Sequence, residues 1–321
     1  MTKLSVADTV LFSVFTPAYN RAHTLHRVYD SLCAQTLRDF EWIVIDDGSS
    51  DGTAELVANW VRSADFPIRY FRQEHSGKHI AHNLAMREAH GKFFLPLDSD
   101  DACVPRALER MAYHWNTIPE NERPLYCGVD GLCSDQNGEI IGDRFPYEPF
   151  DATLRERRYV YRMRGEKWGS MLTEIVRQFP FPEVPGSQFT PEGLVWLDVA
   201  KTYKNRCVNE VFRTYYVKDA HTGETLSKRG SLEDAPGRFQ YYLWLLNNDL
   251  GYFFNSPAPF LKAAAILPIV AHLSGKRLRN TFQSLSTMPA KLLLLLALPL
   301  SCLLYGFDWF CRARRTKKSF K

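Results

Sequence analysis

The sequence predicts an α/β fold: a Rossmann-like, mainly parallel sheet flanked by helices, followed by an apolar helical extension. Three observations predict it. The first hundred or so residues alternate between short apolar runs and segments of helical period, the pattern of βαβ units. Three polar loops, "TPAYN", "DDGSSDG" and "DSDD", each follow an apolar run directly, as ligand-binding loops at the carboxyl ends of parallel strands do. After about residue 250 the composition turns apolar and then ends in a basic tail.

The elements follow in order. "VLFSVF" (10–15) is a continuous apolar run, which suits a strand covered on both faces. Leu25, Val28, Tyr29 and Leu32 in 24–36 fall at helical spacing. "EWIVID" (41–46) is a second strand, 53–63 a second helix, "IRYFRQ" (68–73) a third strand and 78–89 a third helix. "KFFLPL" (92–97) is a fourth strand, and 104–115 a helix with Pro105 near its first turn. Residues 124–145 read as a hairpin turning at "DQNG". "WGSMLTEIVRQF" reads as a helix, "FPFPEVPGSQFTPEG" as a Pro-rich loop, "GLVWLDVAKTY" as a helix and 208–217 as a strand.

Bulk properties exclude several classes. The 321 residues allow one large domain or two smaller ones. A net charge of +4 is too small to imply nucleic acid. Seven cysteines without a CxxC pair speak against a disulfide framework or a structural zinc site. The N-terminus lacks the features of a secretory signal, so cytoplasmic synthesis without export is expected. From Leu292 to Phe307 no charge occurs. That run of about sixteen residues is short of a comfortable span, and Pro299 should kink it. With Tyr305, Trp309 and the tail "RARRTKKSFK" beside it, a re-entrant or interfacial segment on an anionic membrane surface is expected.

The acidic loops carry the chemistry. Asp98, Asp100 and Asp101 lie within four positions, and charges that close need a cation, water or hydrogen bonds. Mg²⁺ or Mn²⁺ commonly takes one or two carboxylates and bridges to phosphates, and Asp98 and Asp100 fit that pattern. Acidic residues capping the next helix are the plainer alternative, and Asp101 is assigned to that role. The glycine fingerprints of dinucleotide sites and phosphate loops are absent. A nucleotide would therefore be held by carboxylates and metal. Lys78 is a candidate for the phosphates, or a solvated lysine at a helix start.

Pro17, Tyr19 and Asn20, then Ser31, Leu32, Gln35 and Thr36, then Asp46 to Ser49, Asp51 and Thr53, and finally Asp98 and Asp100 occur in one order and spacing. This series resembles the family 2 glycosyltransferases with the GT-A fold, of the bacterial surface-polysaccharide type. The resemblance is strong over 10–115 and weaker over 116–217. It implies a metal-dependent, inverting, hexosyltransferase-type enzyme with a nucleotide-diphosphate sugar donor, UDP being the commonest kind. It further implies that Pro17, Tyr19 and Asp47 contact base and ribose, that Asp98 faces the ribose or metal, and that Asp100 ligates the metal. A catalytic base is implied well after the D-x-D; Glu192 in "FTPEGLVW" is the match and Asp198 the alternative.

The expected organisation is a catalytic domain over 1–220, with a nucleotide-sugar half to about 115 and an acceptor half after it, then a helical region over 221–321. The acceptor is expected to be a glycan, polyprenyl-linked, at the cytoplasmic face of the plasma membrane. Two other readings stand beside this one: a polyprenyl-phosphate glycosyltransferase, and a non-catalytic, membrane-attached sugar-nucleotide-binding scaffold.

Overall fold

The computed structural model describes residues 10–216 and 234–318, with side chains through residue 306. The N-terminal tail, the expected boundary near residue 220 and the side chains of Trp309 and the basic tail lie outside the described part. The chain divides into two compact units: Met1–Glu183 with Val195–Lys228, and Val184–Leu194 with Arg229–Lys321.

The first unit is an α/β sheet structure. Its strands are β1 (Phe12–Ala18), β2 (Phe40–Asp46), β3 (Ile68–Arg72), β4 (Phe93–Pro96), β5 (Ala102–Cys103), β6 (Tyr126–Ser134), β7 (Phe150–Ala152), β8 (Lys167–Leu172) and β9 (Lys204–Thr214). They form one sheet in the order β3-β2-β1-β4-β8-β6-β9-β5, with β7 on β9. β3, β2, β1 and β4 run parallel. β8 joins β4 antiparallel and begins the mixed half.

The helices follow the strands as the alternation requires: α1 (His26–Cys33), α2 (Thr53–Ser63), α3 (Lys78–Glu88) and α4 (Ala107–Asn116). Successive strand residues face opposite sides. Phe12 and Val14 of β1, with Trp42 and Val44 of β2, therefore pack on Val28 and Leu32 of α1 and on Leu108 and Met111 of α4. Phe15, Ile43, Ile45 and Phe94 pack on the other face against Ala81, Ala85 and Met86 of α3. The strand order reverses between β1 and β4, which makes their carboxyl ends the expected ligand crevice.

Three expectations are corrected. The segment read as a helix from Trp168 is β8, followed by only a short helix, α5 (Thr173–Val176). Its apolar spacing suits a helix, but pairing between β4 and β6 wins. Gly169 allows it, since a Cβ there would lie 1.9 Å from the Val129 carbonyl oxygen. The expected hairpin shrinks to an isolated bridge, Ser134 to Ile140, because both edges of β6 are already taken by β8 and β9. The helix after "DSDD" starts later, and Asp101 does not cap it: Ala102–Cys103 first pairs with β9.

The second unit contains α7 (Ala235–Asn248), α8 (Pro257–Leu273), α9 (Leu278–Gln283) and α10 (Met288–Lys318). Between the units in sequence lies α6 (Gly193–Val199). α8 is packed by both α7 and α10 and buries Phe260, Ala264, Leu267 and Val270. α10 is one helix that continues through Pro299. Its stretch Met288–Gly306 is 19 residues with mean hydropathy 1.8, long and apolar enough to cross a membrane. Ala290, Leu294, Ala297 and Ser301 are buried along one stripe, while Leu292, Leu296 and Leu303 are exposed on another.

Candidate active site

β1, β2 and β4 end at one edge of the sheet, with Ala18 in register with Asp46 and Phe15 with Pro96. Their loops therefore emerge side by side, bringing together Pro17, Tyr19, Asp47, Asp98 and Asp100.

The first two loops are knitted by short polar side chains. Asn20, at φ 53°, accepts from the Ser50 N–H at 2.8 Å, and its own N–H donates to Ser49 Oγ at 2.9 Å. Asp51 accepts from the Ala22 N–H at 3.1 Å and from the Thr53 N–H at 3.0 Å. Asp46 accepts from the Ser49 N–H at 2.7 Å. Asn20, Ser49, Asp51 and Thr53 thus build the loop framework. Gly48 stands at φ 84°, and a Cβ there would press on the His75 nitrogen at 3.1 Å, so the turn requires glycine.

Asp47 is nearly buried, and the chain itself engages both its oxygens. Gln73 Nε2 and the Ser76 N–H donate to Oδ1 at 2.6 and 2.8 Å, and the Gly77 N–H donates to Oδ2 at 2.9 Å. His75 Nδ1 lies 2.9 Å from Oδ2. Asp47 therefore fixes the turn between β3 and α3. That turn lays the His75 ring on Tyr19, with centroids 4.0 Å apart and planes 18° apart. Tyr19 stays 44% exposed, so this aromatic surface is open to a planar ligand.

At the third loop, Lys78 Nζ at the start of α3 lies 2.6 Å from Asp98 Oδ1. Burial works against ionisation of Asp98, but Lys78, Arg213 and Arg21 outweigh it and hold the carboxyl below its ordinary range. Burial and the neighbouring Asp98 charge push the Asp100 carboxyl up. Among the described residues no ion pair offsets Asp100. Asp101 is 1% exposed; burial pushes its carboxyl up to about 7 although Arg213 stands 3.6 Å away. Gln35 and Thr36 tie α1 to the segment after this loop: Gln35 Nε2 donates to the Val104 carbonyl at 2.8 Å, and the Thr36 N–H to that of Pro105 at 2.9 Å.

Glu192 and Asp198 fall in different units. Glu192 is exposed just before α6; Asp198, within α6, pairs with Lys201 at 2.7 Å. Asn83, on α3, is a structural clamp whose amide exchanges two 2.9 Å hydrogen bonds with the Phe181 backbone. Trp168 offers no sugar-stacking face, being 5% exposed with its indole N–H donating to the Pro96 carbonyl. His114, Glu148 and Glu210 bring ligand atoms within 4.8 Å of one another. Arg110 already donates to both Glu210 oxygens at 2.8 and 2.6 Å, a competing cation in that cluster. Sequence reading missed Arg21, Arg27 and Arg213. The rule that strand carboxyl ends carry the site would have found Arg213, near the end of β9.

Residues 13–128 match the family described as glycosyl transferase family 2. An uncharacterized glycosyltransferase of Rickettsia bellii is 33% identical over 132 residues, 41% of this chain but only 18% of that protein. The chain thus spans about a fifth of the length of such relatives. The GalNAc(5)-diNAcBac-PP-undecaprenol beta-1,3-glucosyltransferase of Campylobacter jejuni is 25% identical over 89% of this chain and 93% of its own. The crystal structure of S. aureus TarS 1-349 with UDP-GlcNAc superposes with a TM-score of 0.53 at 22% identity, covering 90% of this chain and 79% of that one. Its likeness is one of fold, and it agrees with the α/β architecture described above. Residues 13–128 thus match the glycosyl transferase family 2 model, on a sheet whose fold is like that of TarS 1-349.

Proposed function

We propose that the protein transfers a sugar, with inversion, from a nucleotide-diphosphate donor to a hydroxyl of a lipid-linked glycan in polysaccharide assembly. One observation supports the reading: the loops after β1, β2 and β4 emerge where the strand order reverses, one carrying Asp98 paired with Lys78 and another the open Tyr19 stacked on His75. The full-length similarity to a glucosyltransferase named for an undecaprenol-linked acceptor supports the lipid-linked acceptor class.

Tyr19 stacks on the nucleobase, and Pro17 contacts the base or ribose. Asp47 contacts the base or ribose, and it also fixes the turn that carries His75. Lys78 holds Asp98 and faces the diphosphate. The donor set at Asp98 and Asp100 is all oxygen, and the raised Asp100 carboxyl is a site whose ionisation a cation favours, so a hard divalent cation such as Mg²⁺ or Mn²⁺ fits. When bound, it would stabilise the charge gathering on the leaving diphosphate. The acceptor hydroxyl attacks the anomeric carbon on the face opposite that leaving group, and Glu192 takes its proton, with Asp198 as the alternative base. Residues 1–220 form the catalytic domain and 221–321 the membrane-associating one. The leucine stripe of α10 attaches the protein to the cytoplasmic face of the plasma membrane.

Release of nucleoside diphosphate from a panel of sugar nucleotides, with Mg²⁺ or Mn²⁺ and membrane extract as acceptor, tests this reading. Turnover with polyprenyl phosphate alone would shift the acceptor class. Donor binding without transfer to any acceptor would leave only a scaffold. Glu192→Gln should keep donor affinity while turnover falls at least about 100-fold; normal turnover would move the base to Asp198 or elsewhere.

A further inference from the structure

The third carboxylate of "DSDD" has no part in the chemistry above, yet it is the most deeply buried of the three. Asp101 Oδ1 accepts the Tyr216 N–H at 3.2 Å. Its Oδ2 faces Arg213 Nε at 3.6 Å, an ion pair too long for a hydrogen bond, and neither atom has a hydrogen-bond partner among the described residues. Arg213 is itself only 6% exposed, and its other end reaches Glu166 at 3.5 Å. From the opposite side, Arg27 on α1 donates to the backbone carbonyl of Asp100 at 3.1 Å and lies over the Tyr216 ring at 4.3 Å.

These contacts close a ring around one residue. Arg27 grips the Asp100 carbonyl and the Tyr216 ring, Tyr216 grips Asp101, and Asp101 meets Arg213. The pairing of β5 with β9, Cys103 opposite Arg213 and Ala102 opposite Thr214, fixes the far side. The three carboxylates are thereby sorted. Asp98 pairs closely with Lys78 and Asp101 faces Arg213, whereas Asp100 has no close ion pair among the described residues and feels Arg21 and Lys78 only at longer range. Like charges this close would otherwise push the loop apart, and a ligand held loosely binds metal poorly.

We propose that Arg213 and Arg27 are positioning residues that act through Asp101 and Tyr216 to hold Asp100 ready for a divalent cation. This rests on Asp100 being a metal ligand, as read above. The two residues touch neither donor nor acceptor. They set where the Asp100 carboxylate stands.

The test is Mn²⁺-dependent nucleotide binding, measured by calorimetry and by the electron paramagnetic resonance signal of free Mn²⁺. The probe is the tightest binder among UDP, GDP, ADP and dTDP. Arg213→Met and Arg27→Met should each weaken Mn²⁺-dependent binding by about tenfold or more. Binding of the same nucleotide without metal should stay within about twofold, and Arg213→Lys should recover part of the loss. A general loss of structure would instead lower both affinities together. Should Arg213→Met fail to fold, Arg27→Met, at a half-buried helix position, carries the test alone. Wild-type Mn²⁺ affinity in the variants that fold, with Asp100→Ala impaired, overturns the positioning role and spares the metal reading. Undiminished Mn²⁺ binding in Asp100→Ala, or none in the wild type, overturns both.

Discussion

The two halves of the sheet solve the problem of polar residues differently. At the carboxyl edge of the parallel half, β3-β2-β1-β4, the first two loops are held by residues of their own motifs, while Glu41 pairs with Arg69 within the sheet. Ser49 donates to Asp46 three residues away, Thr53 to Asp51 two away, and Ser50 to Asn20 of the adjoining loop. In the mixed half, buried and half-buried charges are paired, two of the three pairs over long stretches of chain. Arg157 meets Asp130 at 2.7 Å. Arg206 meets Asp151 across 55 residues, and Arg110 meets Glu210 across 100. The difference teaches that a site presenting charge to a ligand builds its frame from short, neutral or capped side chains. A region without such a task can spend its charges on internal pairs.

The largest effect should come from breaking a pair in the mixed half. Asp130→Ala leaves the Arg157 guanidinium buried without its partner, which should cost about 3–5 kcal/mol. Urea unfolding measures it, and a cost below about 1 kcal/mol would show that the pair is not structural. Replacing both residues by apolar ones should restore most of the loss.

In the parallel half the same kind of change should strike activity and spare the fold. Asp100→Ala should lower transfer at least about 100-fold while the melting temperature holds. A variant that melts early but turns over normally per folded molecule would erase the contrast between the halves. Tyr19→Ala comes next: losing the exposed stacking face should weaken nucleotide binding about tenfold, as read by calorimetry.

The smallest effect sharpens the comparison through pH. Arg110 holds the Glu210 carboxyl down to about 2, with burial opposing and His114 helping. A lowered acid stabilises the fold above its unfolded value near 4.5 and loses that contribution as pH falls toward 2. Glu210 is nearly a third exposed, so the contribution is discounted for screening to about 1 kcal/mol. Glu210→Gln should therefore be less stable than the parent at pH 7 and equal to it near pH 2. A gap that persists unchanged into acid would assign the difference to packing.

How much was legible follows the same divide. The residues of "TPAYN", "DDGSSDG" and "DSDD" lie in short runs at strand ends, so spacing alone marked the edge where they meet. Lys78 is legible because it follows the third strand, at the start of a helix. His75 is legible as a polar residue after the third strand, but its stack on Tyr19 is not, because Tyr19 lies on another loop. Arg213 was passed over because nothing near it in sequence is acidic until the fold brings Asp101 to it.

The sequence by itself determined the alternation of strands and helices through residue 116, the carboxylate loops and the apolar character of α10. Each depends on periodicity or on neighbours a few residues apart. Only the tertiary structure decided that residues 167–172 pair as a strand and that Asp47 is consumed in fixing a turn. It alone decided that Asp98, Asp100 and Asp101 take different partners. Those outcomes depend on which chain segments meet, and a buried charge or a close strand contact acquires its meaning from a partner that local sequence does not name.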